Sequence, residues 1–197
     1  YYTPSGRCIQ KPYTKGDLKD YEMDLEKRLK HGELTNPDSI HFDTSQKFYT
    51  LRNHRVVYGG GGIMPDYFVP LDTTKYTKYH RLLAAKNIIM NAYLKYVDAN
   101  RTTLKGLYKS FDTFNKNYVV PQSLLDTIIA EGKKEKVEPK DKAELTATMH
   151  YIKVQLKALV ARDLWDMNEY YRVWNEQSDI VNKAIKLCTA PNTDRSL

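Results

Sequence analysis

Three groups of residues in this sequence are of kinds that do chemistry. The first is the run Gly59-Gly60-Gly61-Gly62, followed by Ile63-Met64-Pro65-Asp66. Successive backbone N–H groups can form an anion-binding nest. A phosphate loop of the Walker type, however, needs Gly-Lys-Ser/Thr opening a helix, and this run leads into Ile-Met-Pro. Four glycines together instead suggest positive φ or close approach of one backbone to another. We therefore expect a structural turn or bulge, with Asp66 bonding nearby backbone amides. The second group is the five histidines, His31, His41, His54, His80 and His150, with Cys8 and Cys188. No HExxH and no His-Cys grouping occurs. Four histidines fall in polar surroundings or loops, and His150 lies beside an apolar helical seam. The cysteines are not paired as CxxC and are either free or bridged. The third group is Ser5-Gly6 and the aromatic run Trp165, Tyr170, Tyr171, Trp174. Ser5 lacks the GxSxG elbow and an evident base, so it reads as a turn serine. The aromatics read as inter-helix packing, with a peptide groove as the sharper alternative. No catalytic, cofactor-binding or metal-ligating residue is assigned.

The elements that would position these residues differ between the two parts of the chain. In residues 1–74, Pro4-Ser5-Gly6 is turn chemistry between the end of one strand and a short strand at Arg7–Gln10. Leu18, Tyr21, Leu25 and Leu29 recur at helical spacing, predicting a helix over Asp17–Lys30 that ends at His31-Gly32. Lys47–Leu51 and Val56–Tyr58 read as strands joined through Arg52–Arg55. From residue 75 onward the patterning is helical. We expect helices over Tyr76–Val97, around Leu104–Phe114 with a break near Ser110, and over Gln122–Glu131, stopped by Gly132. A long helix opens near Pro139. Its Leu145, Met149, Ile152, Leu156 and Leu159 form a seam for another helix. A break over Asp163–Met167 precedes a Tyr/Trp-rich helix at Glu169–Gln177 and a last helix capped by Ser178, with a frayed end after Ala190.

The fold expected is α+β: a small β-containing unit, 1–74, followed by a mostly α-helical bundle domain, 75–197. The formal charge of +7 is uneven. Residues 1–74 carry 10 Lys+Arg and 10 Asp+Glu, whereas residues 75–197 carry 21 and 14. This excess suits a solvated helical surface, and it also suits an acidic partner or an anionic membrane surface. No continuous basic helix or interleaved aromatic platform points to nucleic acid. No apolar run approaches the roughly 18–20 residues that span a bilayer.

Two stretches carry a family resemblance. Tyr1-Tyr2-Thr3-Pro4-Ser5-Gly6-Arg7-Cys8-Ile9-Gln10 resembles the strand-turn-strand of the C-terminal processing (tail-specific) serine peptidases. Gly62-Ile63-Met64-Pro65-Asp66 resembles the motif that follows it in that family. The long spacing through Lys11–Gly61, with its Tyr-Gly-Gly-Gly-Gly lead-in, is similar to the cell-envelope peptidases of Bacteroidetes-type bacteria. The helical part is also similar, through Gln155–Arg162 and Asn182–Ile185. The resemblance implies a parent serine endopeptidase with a serine nucleophile and a lysine base, acting on protein or peptide substrates near their C-termini in the periplasm or cell envelope. In that family both catalytic residues precede the Tyr-Tyr-Thr-Pro-Ser-Gly-Arg strand, so no residue here inherits their roles, Ser5 included. With its opening in mid-strand, the chain is expected to be a C-terminal fragment, inert alone, that pairs with the remainder of the peptidase core and needs no cofactor. The alternative is that the helical half is a protein-interaction, substrate-recruitment or oligomerisation module.

Overall fold

The computed structural model describes residues 1–16, 18–41 and 43–190. The chain divides into two compact units, the first over Tyr1–Asp72 and the second beginning at Thr73. The α+β class holds: the chain is mostly helical, with one two-stranded antiparallel sheet among the described residues.

In the first unit, the helix expected over Asp17–Lys30 is two short ones, α1 (Leu18–Glu22) and α2 (Asp24–Lys30). Asp17, the expected cap, lies outside the described residues. The hairpin pairs β1 (Lys47–Tyr49) with β2 (Val56–Tyr58), placing Lys47 opposite Tyr58 and Tyr49 opposite Val56. Asn36 and Asp43 start short 3-10 turns by accepting the amides of Asp38 and Ser45, as Asx side chains do. Arg7–Gln10 is not a regular strand.

The second unit contains helices α3 (Lys78–Ala85), α4 (Ile88–Leu107), α5 (Phe111–Asn117), α6 (Gln122–Lys134), α7 (Lys142–Leu164), α8 (Met167–Asn175) and α9 (Asp179–Thr189). The single helix predicted over Tyr76–Val97 is broken by Asn87, which sits at φ 57. Asn tolerates this left-handed conformation better than most residues. Ser110 caps α5 by accepting the Thr113 amide. Gly132 does not stop its helix as expected. It lies inside α6, at a position where a Cβ would meet Leu83 Cδ2 at 2.9 Å and the Val137 carbonyl at 3.1 Å. The chain leaves α6 with Lys136 at φ 57 and the Val137 amide returning to the Gly132 carbonyl. This is Schellman-type closure, with lysine where glycine is usual. The long helix begins after Asp141, whose carboxylate accepts the Glu144 amide at 2.7 Å.

One apolar core runs through the second unit. Ile152, Leu156 and Leu159 of the predicted seam are buried, together with Tyr79, Leu83, Tyr93, Val97, Phe114, Leu125 and Ile128. Trp165 packs edge-on against Phe111 and Phe114, and Phe114 stacks on Tyr118. Tyr170 stacks on Trp174. The aromatic run is therefore largely packing material, as its spacing suggested. Tyr93 crosses from α4 to α7, donating to the Leu159 carbonyl at 2.9 Å and to the Asp163 carboxylate.

A polar ladder on α7 docks α3. Glu144 accepts the Tyr79 amide at 3.2 Å, Thr148 bonds the Thr77 hydroxyl at 2.6 Å, and Gln155 meets His80 Nε2 at 3.3 Å. His80 was expected in polar surroundings. It is instead buried, beside the Tyr76 ring, and burial holds its pKa below the usual 6.5.

Two outcomes follow. Thr148→Val should remove the Thr77 bond, leaving the Thr77 hydroxyl only the His80 amide that it accepts as N-cap, and cost about 1 kcal/mol, read as a lower urea midpoint by far-UV circular dichroism. Because His80 is held neutral when folded, the unfolded chain binds the extra proton, so stability rises with pH here. His80 should contribute no loss above its unfolded pKa of 6.5 and a growing loss as pH falls below it. His80→Leu should flatten that part of the midpoint-versus-pH curve.

Candidate functional site

The two motifs of the first unit meet. Thr3 and Arg7 close the turn, with the Thr3 amide donating to the Arg7 carbonyl and the Gly6 amide to the Thr3 carbonyl, both at 2.8 Å. Gly6 has φ 80. The segment beyond the turn then lies along the glycine run. Gly60 N–H donates to the Cys8 carbonyl and Gly62 N–H to the Ile9 carbonyl, each at 2.8 Å, while Gly59 N–H continues the hairpin ladder to Gln46. With three of the four amides already donating to carbonyls, the run is not an anion nest. Gly60 and Gly62 take positive φ, 76 and 91. Gly59 serves close approach: a Cβ would lie 3.0 Å from the Cys8 carbonyl and 3.2 Å from the Phe48 ring. Arg7 reaches across and donates to the Tyr58 carbonyl at 3.3 Å.

The chemistry-bearing side chains of this junction are already engaged. Ser5 Oγ bonds Thr3 Oγ1 at 3.0 Å. Asp66 pairs with Arg55 Nη1 at 2.8 Å rather than with backbone amides, a correction to the sequence expectation. The cysteines are both free, Cys8 half-buried and Cys188 exposed. Among the described residues no group of three His, Cys, Asp or Glu side chains has the arrangement to hold a metal.

The second unit has a groove of about 830 Å³ between α3, the α6–α7 loop and the start of α7. Tyr79, Leu82 and Val137 supply its apolar lining, and Lys78, Lys136 and Glu138 are among its charges. Glu144 lines it too. The hydrogen bond from the Lys140 amide holds its carboxyl below the usual range. The Tyr79 hydroxyl is buried without a hydrogen-bond partner. Burial, and then Glu138 and Glu144, push its pKa up. The groove thus has charge of both signs but no nucleophile beside a base. Sequence reasoning missed it because its lining comes from residues 73–82 and 136–147, two separate stretches.

Residues 79–166 match the model of a family described as a family of unknown function (DUF8443). The match runs from the first turn of α3 to Asp166, the N-cap of α8. No curated protein and no solved structure matches the chain.

If Gly59 is held by close approach, Gly59→Ala should lift the Tyr1–Gln10 segment from the hairpin. Limited trypsin digestion followed by mass spectrometry should then show faster cleavage after Arg7, with cleavage after Arg52 at the hairpin tip unchanged.

Proposed function

We propose that this chain is the C-terminal part of a carboxy-terminal processing serine endopeptidase of the cell-envelope or periplasmic kind. Its first unit completes a catalytic core whose remainder lies elsewhere in the parent enzyme. The observation that carries this reading is the missing core of the first unit. None of its described residues is buried, while Tyr1, Tyr2, Tyr13, Leu25, Leu51 and Ile63 are all more than half exposed. A unit of this size without buried apolar surface cannot offset the conformational entropy of ordering itself. It holds local order through main-chain bonds, and its apolar faces need the rest of a larger domain. The joining of the Tyr1–Gln10 and Gly59–Asp66 motifs, the two stretches that resemble the peptidase family, supports the same reading.

In such an enzyme a neutral lysine takes the proton of the serine hydroxyl as it attacks the scissile carbonyl. Both groups would come from the parent's other part. The contribution of this chain is to close the core with the turn and glycine run. Its substrates, proteins cut near their C-termini, would be reached through the parent.

The reading predicts three results together. The purified chain leaves unstructured protein such as β-casein uncut and takes no label from a fluorophosphonate. Residues 1–74 alone show no cooperative unfolding. Residues 75–197 alone unfold cooperatively. Casein cleavage that persists in Ser5→Ala, or a cooperative transition for residues 1–74, would overturn it.

A further inference from the structure

Two residues of the groove between α3, the α6–α7 loop and the start of α7 act against the stability of the fold. Lys136 stands at φ 57 just after α6, where glycine would sit without strain. A strained backbone position directs attention to what its side chain does. Lys136 lines the groove, and its ammonium has no hydrogen bond or ion pair among the described residues. The second is Tyr79, which is 1% exposed and also lines the groove. Its hydroxyl is buried without a hydrogen-bond partner, an arrangement that costs a desolvation penalty with nothing to offset it. That hydroxyl lies beside the loop: a Cβ on Gly132 would meet both it, at 3.4 Å, and the Val137 carbonyl, at 3.1 Å. Lys78 lines the groove from α3 and, like Lys136, pairs with no described residue.

Charge decides the class of ligand that suits these groups. The lining holds four cations, Lys78, Arg81, Lys136 and Lys140, against three acids, Glu138, Asp141 and Glu144, an excess of one positive charge. Two of the acids are committed within the chain. The Glu144 oxygens accept the Lys140 and Tyr79 amides, and Asp141 accepts the Glu144 amide and faces Lys140 Nζ at 3.8 Å. Glu138 alone stands against the uncommitted ammoniums of Lys78 and Lys136. Helices α3 and α7 both begin at the groove, so the positive ends of their dipoles add to the excess. A monoanion balances such a site, whereas a cation adds to its charge. Beside the charges, Leu82 and Tyr76 leave 39% and 37% of their surface uncovered, which suits an apolar body. The volume of about 830 Å³ is that of a site for a small organic molecule.

We propose that this groove binds a small organic monoanion, an aryl or alkyl carboxylate. Lys78 and Lys136 pair with its carboxylate, the Tyr79 hydroxyl donates to it, and Tyr76 and Leu82 cover its apolar body. Contact with that hydroxyl requires the loop to yield at Val137, next to the left-handed Lys136. This does not rest on the peptidase reading.

Titration of the full 197-residue chain with 2-naphthoate, followed by amide chemical shifts in ¹H–¹⁵N spectra, tests it. Shifts should saturate and should centre on Tyr79, Leu82 and residues 136–147. The uncharged 2-naphthamide and the cationic 2-naphthylmethylamine should each bind at least about fivefold more weakly. Lys136→Gly and Tyr79→Phe should each weaken 2-naphthoate binding about fivefold, yet neither should lower the urea midpoint, because glycine relieves the backbone and phenylalanine removes an unpartnered hydroxyl. Absence of saturable shifts, shifts centred elsewhere, or equal binding of the amide would overturn the proposal. So would undiminished binding in both variants. A lower urea midpoint in both would also overturn it, since the two groups would then serve the fold rather than a ligand.

Discussion

Glu144 joins two helix N-termini at once, and the placement of α3 on α7 follows from it. One carboxylate oxygen accepts the Lys140 amide at 2.8 Å and the other the Tyr79 amide at 3.2 Å. The Tyr79 amide, in the first turn of α3, belongs to the set that every helix start leaves without intrahelical partners, and Lys140 lies just before the Asp141 cap of α7. One turn further along α7, Thr148 meets Thr77, the N-cap of α3. Two turns beyond that, Gln155 meets His80. These polar contacts set where α3 sits along α7. The apolar contacts of Leu83, Ile152 and Leu156 supply the driving force but are not directional. On its other sides α7 receives Tyr93 from α4 and the aromatic face of α8. A single helix therefore organises the unit because each of its stripes carries different chemistry.

The first unit is held by the opposite means. Its order comes from main-chain hydrogen bonds through Cys8, Ile9, Gln46, Gly59, Gly60 and Gly62, from Asx turns, and from ion pairs such as Arg28–Glu33 and Arg55–Asp66. Exposed pairs of this kind each contribute little. Hydrogen bonds accessible to water exchange protein partners for solvent at small net gain. The contrast between a unit with a continuous core and one with no buried residue among those described is what supports the proposal that the first is part of something larger.

Much of the second unit was legible in the sequence. The seam through Leu145, Met149, Ile152, Leu156 and Leu159, the break near Ser110, the Ser178 cap, and the packing role of the Trp165–Trp174 aromatics all follow from spacing and side-chain chemistry. The errors lie where tertiary contacts override a local signal. Gly132 reads as a stop but is a packing residue, because Leu83 and the Val137 carbonyl occupy the space of its Cβ. Asn87 interrupts a stripe that is continuous in the sequence. His80 looks polar in a linear reading because the burial comes from α7, more than 60 residues away. Asp66 bonds Arg55 because the hairpin returns that guanidinium to it.

By itself, the sequence determined the class of each half, the helical periodicities, the turn at Pro4-Ser5-Gly6 and the absence of a recognisable catalytic constellation. These are local properties, set by residues within a few positions of each other. Only the tertiary structure decided that the glycine run donates to Cys8 and Ile9, and that a groove forms between α3 and the start of α7. Each of these depends on which surfaces are buried and which are left over. Burial is set by the whole packing arrangement, and periodicity within one segment does not encode it.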